Sequence, residues 1–492
     1  MKRILLTAGA LLAWSSCAAA GQTVTMPVED YKAILERLDT LQNRVEQLET
    51  QKSSPSGKAT SASMPNKLAQ DVETIYDTLD VVETKTLKDR INLGAELRTR
   101  VDFYTAKNKA GFTETEHNDG QWSNRFRLNM DAEIKKNLLF TGRLAVYKNF
   151  ADTDSNSFAN DSNQVTSPGS SSVKLERAYV DWIPEGLPMP VAITMGRHPS
   201  TGGPPADLKE NGMRQSTYPS LLFDGETDGM VATIGLERYL GWKSSGLRFA
   251  WGKAHQDDND YVSYLDNSTG GMDDTNVFAL FFESEIPGVR NSVMVLSALR
   301  VDDMNGNTAY FYDTNTPDIA NLGDMDLYGV VVQANNFMDS GFDIFLSTGL
   351  NRTHPSGELV TVGAGAYGGV QAGLLNDDGT TSHTGWAVHT GFRYTIPYKP
   401  LNNPKLGFEY NHGSDYWFSF TSGSSDLYNK LATRGDAYDV YYIQPFNDNL
   451  FARVGYTFID YDYNMSGMHM GDFGDQTEEE LSNYYFMLDC RF

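Results

Sequence analysis

The chain has 492 residues, 12% of them aromatic, and 64 Asp and Glu against 40 Lys and Arg give it a formal net charge of −24. A field of that sign excludes a general nucleic-acid or polyanion binder. Only Cys17 and Cys490 carry thiols, which excludes a disulfide-dense scaffold and a thiolate metal cluster.

Residues 1–20, MKRILLTAGALLAWSSCAAA, place Lys2 and Arg3 before an apolar run from Ile4 to Trp14 and end on Ala18-Ala19-Ala20. This predicts a secretory signal peptide cleaved after Ala20. The run is too short to span a bilayer. A rival reading makes Cys17 a lipidated cysteine, but Trp14 stands where such signals resemble one another in carrying Leu. Cleavage would leave a net charge of −26, because Lys2 and Arg3 are lost, and Cys490 as the only thiol.

Residues 21–52 carry a heptad seam. Tyr31, Leu38 and Val45 occupy one position, and Ile34, Leu41 and Leu48 lie three residues later. These are the a and d positions of a coiled coil, and three heptads need partner helices. The expected consequence is a homo-oligomer, in which the a and d residues do not settle two strands against three; the plainer reading is a single helix lying on the rest of the protein. Residues 53–66 contain Ser, Pro and Gly and read as a flexible linker. A second amphipathic helix is expected over 67–90, with Leu68, Val72, Ile75, Leu79 and Val82 on one side.

At Ile91 the period changes to two. Ile91, Leu93, Ala95, Leu97, Val101 and Phe103 fall on one face; Glu96, Arg98, Arg100 and Asp102 fall on the other. Sixteen such segments follow, centred near 91–104, 122–134, 138–149, 173–183, 190–197, 228–236, 246–254, 275–285, 290–301, 326–335, 341–351, 384–396, 405–412, 437–444, 449–461 and 482–492. Long and short connections alternate between them. A soluble sandwich has no reason to keep that order, whereas an up-and-down barrel in an outer membrane does, with long loops outside and short turns in the periplasm. Mean hydropathy alone would read as a soluble exported protein, but alternating faces cancel in any window average. The expected fold over 91–492 is therefore all-β: a 16-stranded antiparallel transmembrane β-barrel, with 14 or 18 strands open as alternatives, preceded by an α-helical coiled coil. Lipid should meet the apolar parity, and a water-filled bore should meet the polar one.

The polar parity supplies the candidate pore-lining residues: Glu96, Arg98, Arg100, Asp102, Arg125, Arg127, Asp131, Arg143, Arg177, Asp181, Arg248, Arg393 and Arg453, with Glu133 and Glu409 on the same parity. Charges facing lipid would cost about 2–4 kcal/mol each at mid-depth. The plainer reading is that they pair across strands and hold the wall. The third long connection, HPSTGGPPADLKENGMRQSTYPSLLFDGETDG, is stiffened by prolines and contains Tyr218–Phe223, too apolar for a solvated tip. It resembles in place the loop that folds into the lumen of trimeric general porins. Arg197, His198, Asp207, Lys209, Glu210, Arg214, Tyr218 and Asp224 are its candidate constriction residues; alternatively the loop caps the outer mouth.

Asp257, Asp258 and Asp260, Asp302 and Asp303, Asp377 and Asp378, and Asp472, Asp475 and Glu478–Glu480 make acidic loop clusters. Divalent cations could sit there, but no twelve-residue calcium loop closes on a Glu, and solvated charge is the better reading. No cofactor or metal is expected. The eight His residues form no H-E-x-x-H, and G-x-S-x-G, P-loop and C-x-x-C-H motifs are absent, so no enzyme activity is expected.

The segment IYDTLDVVETKTLKDRINLGAELRTRVD, Ile75 to Asp102, together with MGRHPSTGGPP and TYPSLLFDGETDGM, resembles a bacterial family known only as domain of unknown function 3373. Its members resemble outer-membrane porins with an N-terminal coiled coil. The terminal Tyr484, Phe486, Leu488 and Phe492 resemble the C-terminal signal that assembly machinery reads in outer-membrane proteins. The resemblance implies a bacterial outer-membrane location, outer-membrane lipid and the barrel-assembly machinery as partners, and a periplasmic coiled coil that bundles protomers or reaches the cell wall. The function expected is a porin for small hydrophilic solutes and ions; the alternatives are a substrate-specific anion channel and a structural tether with a plugged barrel.

Overall fold

A computed structural model describes residues 91–108, 115–149, 173–255, 273–307, 319–362, 369–421, 426–463 and 476–492. The signal peptide, the coiled-coil residues Tyr31 to Leu48, the linker and the second helix lie outside the described residues, as do Asp257, Asp258, Asp260, Asp472 and Asp475.

Twenty strands occur in chain order: β1 (Ile91–Asn108), β2 (Thr115–Lys135), β3 (Leu138–Asn149), β4 (Val173–Trp182), β5 (Val191–His198), β6 (Phe223–Asp224), β7 (Thr227–Gly235), β8 (Gly246–His255), β9 (Thr275–Ser284), β10 (Ser292–Asn307), β11 (Ile319–Ala334), β12 (Phe342–Pro355), β13 (Val360–Val362), β14 (Val370–Ala372), β15 (Thr384–Thr395), β16 (Lys405–Gly413), β17 (Phe420–Thr421), β18 (Gly435–Pro445), β19 (Leu450–Tyr463) and β20 (Gln476–Arg491). Sixteen of them close into one antiparallel barrel; β6, β13, β14 and β17 stand outside the ring in two small sheets. Closure is made by β1 against β20, in register from Glu96 with Arg491 to Asn108 with Glu479. All sixteen segments read from the alternation are the strands of the ring. Several run further than expected, with β2 beginning at Thr115, β11 at Ile319 and β20 at Gln476. In β2 and β20 the extensions are dominated by polar residues on both faces (115–121 and 476–480), so the ladder continues where the apolar signal has ended, whereas the β11 extension keeps Ile319, Ala320, Leu322 and Met325.

The outer face follows the expected parity. Leu93, Leu97, Phe126, Phe249, Trp251, Leu346, Trp386 and Val454 are exposed on it. So are Tyr484 and Phe492 of the terminal strand, at 62% and 78% exposure. A contiguous apolar belt of that extent is foreign to a soluble monomer.

The inner face departs from expectation. A hydrophilic bore was expected all the way round, but β7–β12 turn Val231, Ala250, Val277, Phe281, Val295, Leu299, Met325, Leu327 and Val331 inward, all buried. The cause is three connections that fold inside and pack on this wall. The β5–β7 loop contributes Tyr218 and Leu221–Phe223, the β12–β15 loop contributes Val360, Ala372, Leu374 and Leu375, and the β16–β18 loop contributes Trp417 and Phe418. Strands apolar on both faces read as continuous apolar runs; Val293–Leu296 and Val330–Val332 carry that signature.

Two inward glycines make the seat. A Cβ on Gly329 would lie 2.5 Å from Leu222 Cδ1, and one on Gly349 would lie 2.5 Å from Trp417 Cη2. The loops are also stitched together. Phe420 N donates to Leu222 O at 2.9 Å, and β6 pairs with β17 in parallel. Asn351, inward on β12, accepts from Phe418 N at 3.0 Å and donates to Tyr416 O at 3.1 Å. Trp417 Nε1 donates to Leu431 O at 2.8 Å.

Because Trp417 is fully buried, Trp417→Ala should cost about 3–5 kcal/mol, the range for emptying an aromatic core site. The expected outcome is a lower midpoint of thermal unfolding in detergent with the barrel still formed, read by heat-modifiable electrophoretic migration.

Candidate functional site

The other half of the interior, built by β1–β5 and β15–β20, is charged. Inward parity brings Glu96, Arg98, Arg100 and Asp102 from β1, Arg125 and Arg127 from β2, Arg143 from β3, Arg453 from β19 and Asp489 and Arg491 from β20 into one region. A β-bulge adds one more. Arg143 pairs with Arg177 and Leu144 with Leu175, so Glu176 is the extra residue. Both it and Arg177 are buried. A bulge re-aims a side chain in this way, and a count by strict alternation misses Glu176.

Into this region runs the β5–β7 loop. It carries a single helical turn, α1 (Ala206–Lys209), followed by Glu210. The last carbonyls of α1 are satisfied by arginines from the wall. Arg393 Nη1 donates to Leu208 O at 2.6 Å, Arg491 Nη2 donates to Glu210 O at 2.9 Å, and Arg453 donates to Lys209 O. Cations belong at such an end. Asp207 accepts from Gln333 Nε2 at 2.9 Å, and Lys405 Nζ donates to Asn211 Oδ1 at 2.6 Å.

Lys209 and Glu210 enter opposite sockets. Glu210 pairs with Arg98, and with Arg453 at 3.4 Å. Burial alone would raise the Glu210 carboxyl; Arg98, Arg453 and Arg125 together hold it well below the ordinary carboxylate range. Lys209 Nζ meets Asp426 at 2.5 Å and also pairs with Asp439. Lys430 of the β16–β18 loop meets Glu409 at 2.5 Å, Asp439 at 2.6 Å and Asp426 at 3.6 Å. Burial works against the charged form of both lysines, but these carboxylates outweigh it and raise both. Asp426 is held low by Lys209, Lys430 and Arg100 against its own burial. Between the loops and this wall lies a cavity of about 80 Å³ bordered by Glu96, Arg125, Arg127, Glu210, Gln215 and Arg491.

The residues singled out from sequence divide by place. Arg98, Arg100, Asp102, Arg125, Arg127, Arg143, Arg177, Arg453 and Glu96 gather in the charged half. Arg248 lies across the barrel, 2.7 Å from Glu283, which also pairs with Arg214 of the loop. Arg393 meets Asp343 at 2.6 Å. Asp131 and Asp181 sit toward the short-turn end and accept from Thr141 at 2.9 Å and Thr194 at 2.5 Å. Within the loop, Tyr218 meets Phe281 edge-on with ring centroids 4.7 Å apart, and its hydroxyl meets His198 Nε2 at 2.9 Å. Asp224 accepts from Gly202 N at 3.1 Å. Arg197 is on the outer face, paired with Asp228 at 2.6 Å and Glu226 at 3.1 Å, and does not enter the interior. Asp426 and Lys430 were not foreseen, because nothing local in a loop sequence says that it folds inward. Asp439 and Asp489 do lie on the charged parity of their strands.

The family described as "Protein of unknown function (DUF3373)" matches residues 115–485. No curated protein matches the chain. Among solved structures, the high-pH structure of Pseudomonas putida OprB is similar at 11% identity over 84% of this chain and 96% of that chain, with a TM-score of 0.46. Salmonella typhi OmpF in complex with daunomycin is similar at 10% identity over 81% and 97%, TM-score 0.41. A trimer form of the Vibrio cholerae outer membrane protein OmpT is similar at 11% identity over 82% and 99%, TM-score 0.41.

The ion pairs fix the pH response of the loop. The depressed Glu210 and Asp426 carboxyls stabilise the seated loop above the ordinary carboxylate range, and lose that effect only as pH falls through their lower folded values. The raised Lys209 and Lys430 stabilise it below the ordinary lysine range, and lose that effect as pH rises through their higher folded values. Hydrogen exchange of residues 206–215 should therefore keep the protection that these four groups give it from about pH 5 to about pH 7, after correction for intrinsic exchange, read in Asp207→Asn because burial raises the Asp207 carboxyl of the same turn. Loss of protection inside that window in that variant would contradict the assignment.

Proposed function

The chain belongs to the family described as "Protein of unknown function (DUF3373)", and from that premise we propose that it is an outer-membrane porin passing small hydrophilic solutes and ions through a loop-narrowed interior. One observation carries the reading: a closed sixteen-stranded ring with an exposed apolar exterior is crossed inside by a loop whose Lys209 and Glu210 meet charges on the wall. The exterior supports immersion in lipid, since a closed ring leaves no unpaired edge there. Tyr484, Phe486, Leu488 and Phe492 on the outer face of the terminal strand are the residues proposed to be read by the barrel-assembly machinery. Residues 21–52 are proposed to lie in the periplasm and to bundle protomers, a trimer being favoured, or to reach the cell wall. The protein is proposed to be a passive conduit, with no reaction chemistry at its charges.

A second reading, a closed barrel serving as a structural anchor, is favoured by the small cavity of about 80 Å³ and the packed half of the interior. Conductance across a planar bilayer separates the two. The channel reading expects discrete steps from the purified full chain, smaller than those of a barrel with an open bore. Lys209→Ala with Glu210→Ala should enlarge them by freeing the loop from both sockets. No steps from either protein would leave the anchor.

Deletion of residues 21–66 tests the assignment of oligomerisation. The shortened protein should keep heat-modifiable migration but lose mass per particle in light scattering. A barrel that no longer assembles would contradict separate roles for the two parts.

A further inference from the structure

We infer that the wall of β1–β4 holds a small oxyanion, a carboxylate, phosphate or sulfate, between arginines placed opposite one another. This deepens the channel reading on which it rests by naming the solute class. Arg98 and Arg125 are direct register partners across β1 and β2, and Arg143 and Arg177 are direct partners across β3 and β4. All four are buried, at 4–7% exposure. Like charges directly opposite each other destabilise a sheet, and buried charge requires compensation.

The protein's own carboxylates compensate unevenly. Arg98 has two, Glu210 and Asp489. Arg125 has Glu96 at 3.5 Å, which it shares with Arg127 at 3.7 Å and Arg143 at 3.8 Å; Arg127 also meets Glu176 at 2.8 Å, and Arg143 reaches it only at 4.0 Å. Among the described residues Arg177 has no ion pair. Its Nη2 donates to Thr201 and, at 3.0 Å, to Gln215 Oε1. Arg143 Nη1 donates to that same oxygen at 3.0 Å. A neutral amide thus stands between two guanidinium groups where a carboxylate would be expected. The Nε atoms of Arg125 and Arg177 are buried without a hydrogen-bond partner. The lysines a short way off are the opposite case, Lys209 and Lys430 each meeting more than one carboxylate.

Arg125 and Gln215 border the cavity of about 80 Å³, beside Glu96 and Glu210, and Arg143 and Arg177 meet its edge through Gln215 Oε1; it has room for a few waters or one small oxyanion. The planar fork of Arg matches carboxylate and phosphate oxygens, and such bonds are about twice as strong as neutral ones. The site is the place where a permeating anion would pause.

Inorganic phosphate titrated into the full-length, detergent-solubilised protein in chloride-free buffer tests the site without a bilayer. Calorimetry should show saturable binding, and the midpoint of thermal unfolding should rise with phosphate. Gln215→Glu places an internal carboxylate against Arg143 and Arg177; it should weaken phosphate binding by about tenfold or more and leave the phosphate-free unfolding midpoint unchanged or higher. Arg177→Gln should weaken binding similarly and serves if Gln215→Glu does not fold. A separate acetate titration tells whether the planar or the tetrahedral anion is preferred. Absence of saturable binding of both anions up to about 50 mM, or unchanged phosphate binding in the variants, overturns the inference. Binding by a protein that passes no current would overturn the channel reading alone.

Discussion

A β-strand carries a row of amides and carbonyls on each edge, and an edge left open leaves that row without partners. Closing β1 onto β20 removes both edges at once. Everything else follows from that ring. Once the sheet is closed, a two-residue period gives every side chain an outside or an inside and no third choice. The outside can be uniformly apolar, because it meets one solvent. The inside of sixteen strands is too wide for the wall side chains alone to meet across it, so it has to be left to water or filled with chain.

Here part of it is filled, and the filling divides the interior by chemistry. The β5–β7 loop spans the division. Its Tyr218–Phe223 stretch lies on the apolar wall, and its Asp207–Glu210 turn lies among the charges. The two contacts differ in what they contribute. Each fully buried Leu or Phe contributes about 1.5–3 kcal/mol, and Leu221, Leu222 and Trp417 are at 0% exposure. Buried ion pairs roughly offset their own desolvation, yet leaving one partner alone is strongly destabilising. Packing therefore holds the loop in the barrel, while Lys209 and Glu210 fix where it lies. A loop shifted along the wall would leave Glu210 without Arg98 and Lys209 without Asp439.

The ring was legible because a period of two is a property of each strand by itself. Ile91 to Phe103 announces its two faces without reference to anything distant, and most of the fifteen further segments do the same. The filling was not legible, because a loop's destination depends on partners far away in the chain. Tyr218–Phe223 showed that it avoids water but not which wall receives it, and Asp426–Lys430 gave no local sign of entering at all. Some of the missing information was present in another form. The apolar runs at Val293–Leu296 and Val330–Val332 lack a polar parity, which a strand facing an aqueous bore would have. Glu176 was hidden for a different reason: a bulge breaks the very alternation by which inward residues are counted.

The balance of charge inside then bears on what the interior can accept. Around Lys209 and Lys430 the carboxylates of Glu409, Asp426 and Asp439 meet every cation, leaving no reason for an incoming ion to bind. Along β1–β4 the carboxylates are unevenly shared: Arg98, Arg100 and Arg127 each meet two, Arg177 meets none among the described residues, and the acceptor between Arg143 and Arg177, Gln215, carries no charge. The whole chain is strongly acidic, so an anion approaching from outside is opposed by the general field and favoured only near this wall. On the channel reading proposed above, such an arrangement would select by position rather than by net charge. A small oxyanion that reaches the arginines gains bidentate bonds, whereas a small cation gains nothing there and meets acids already occupied by lysine.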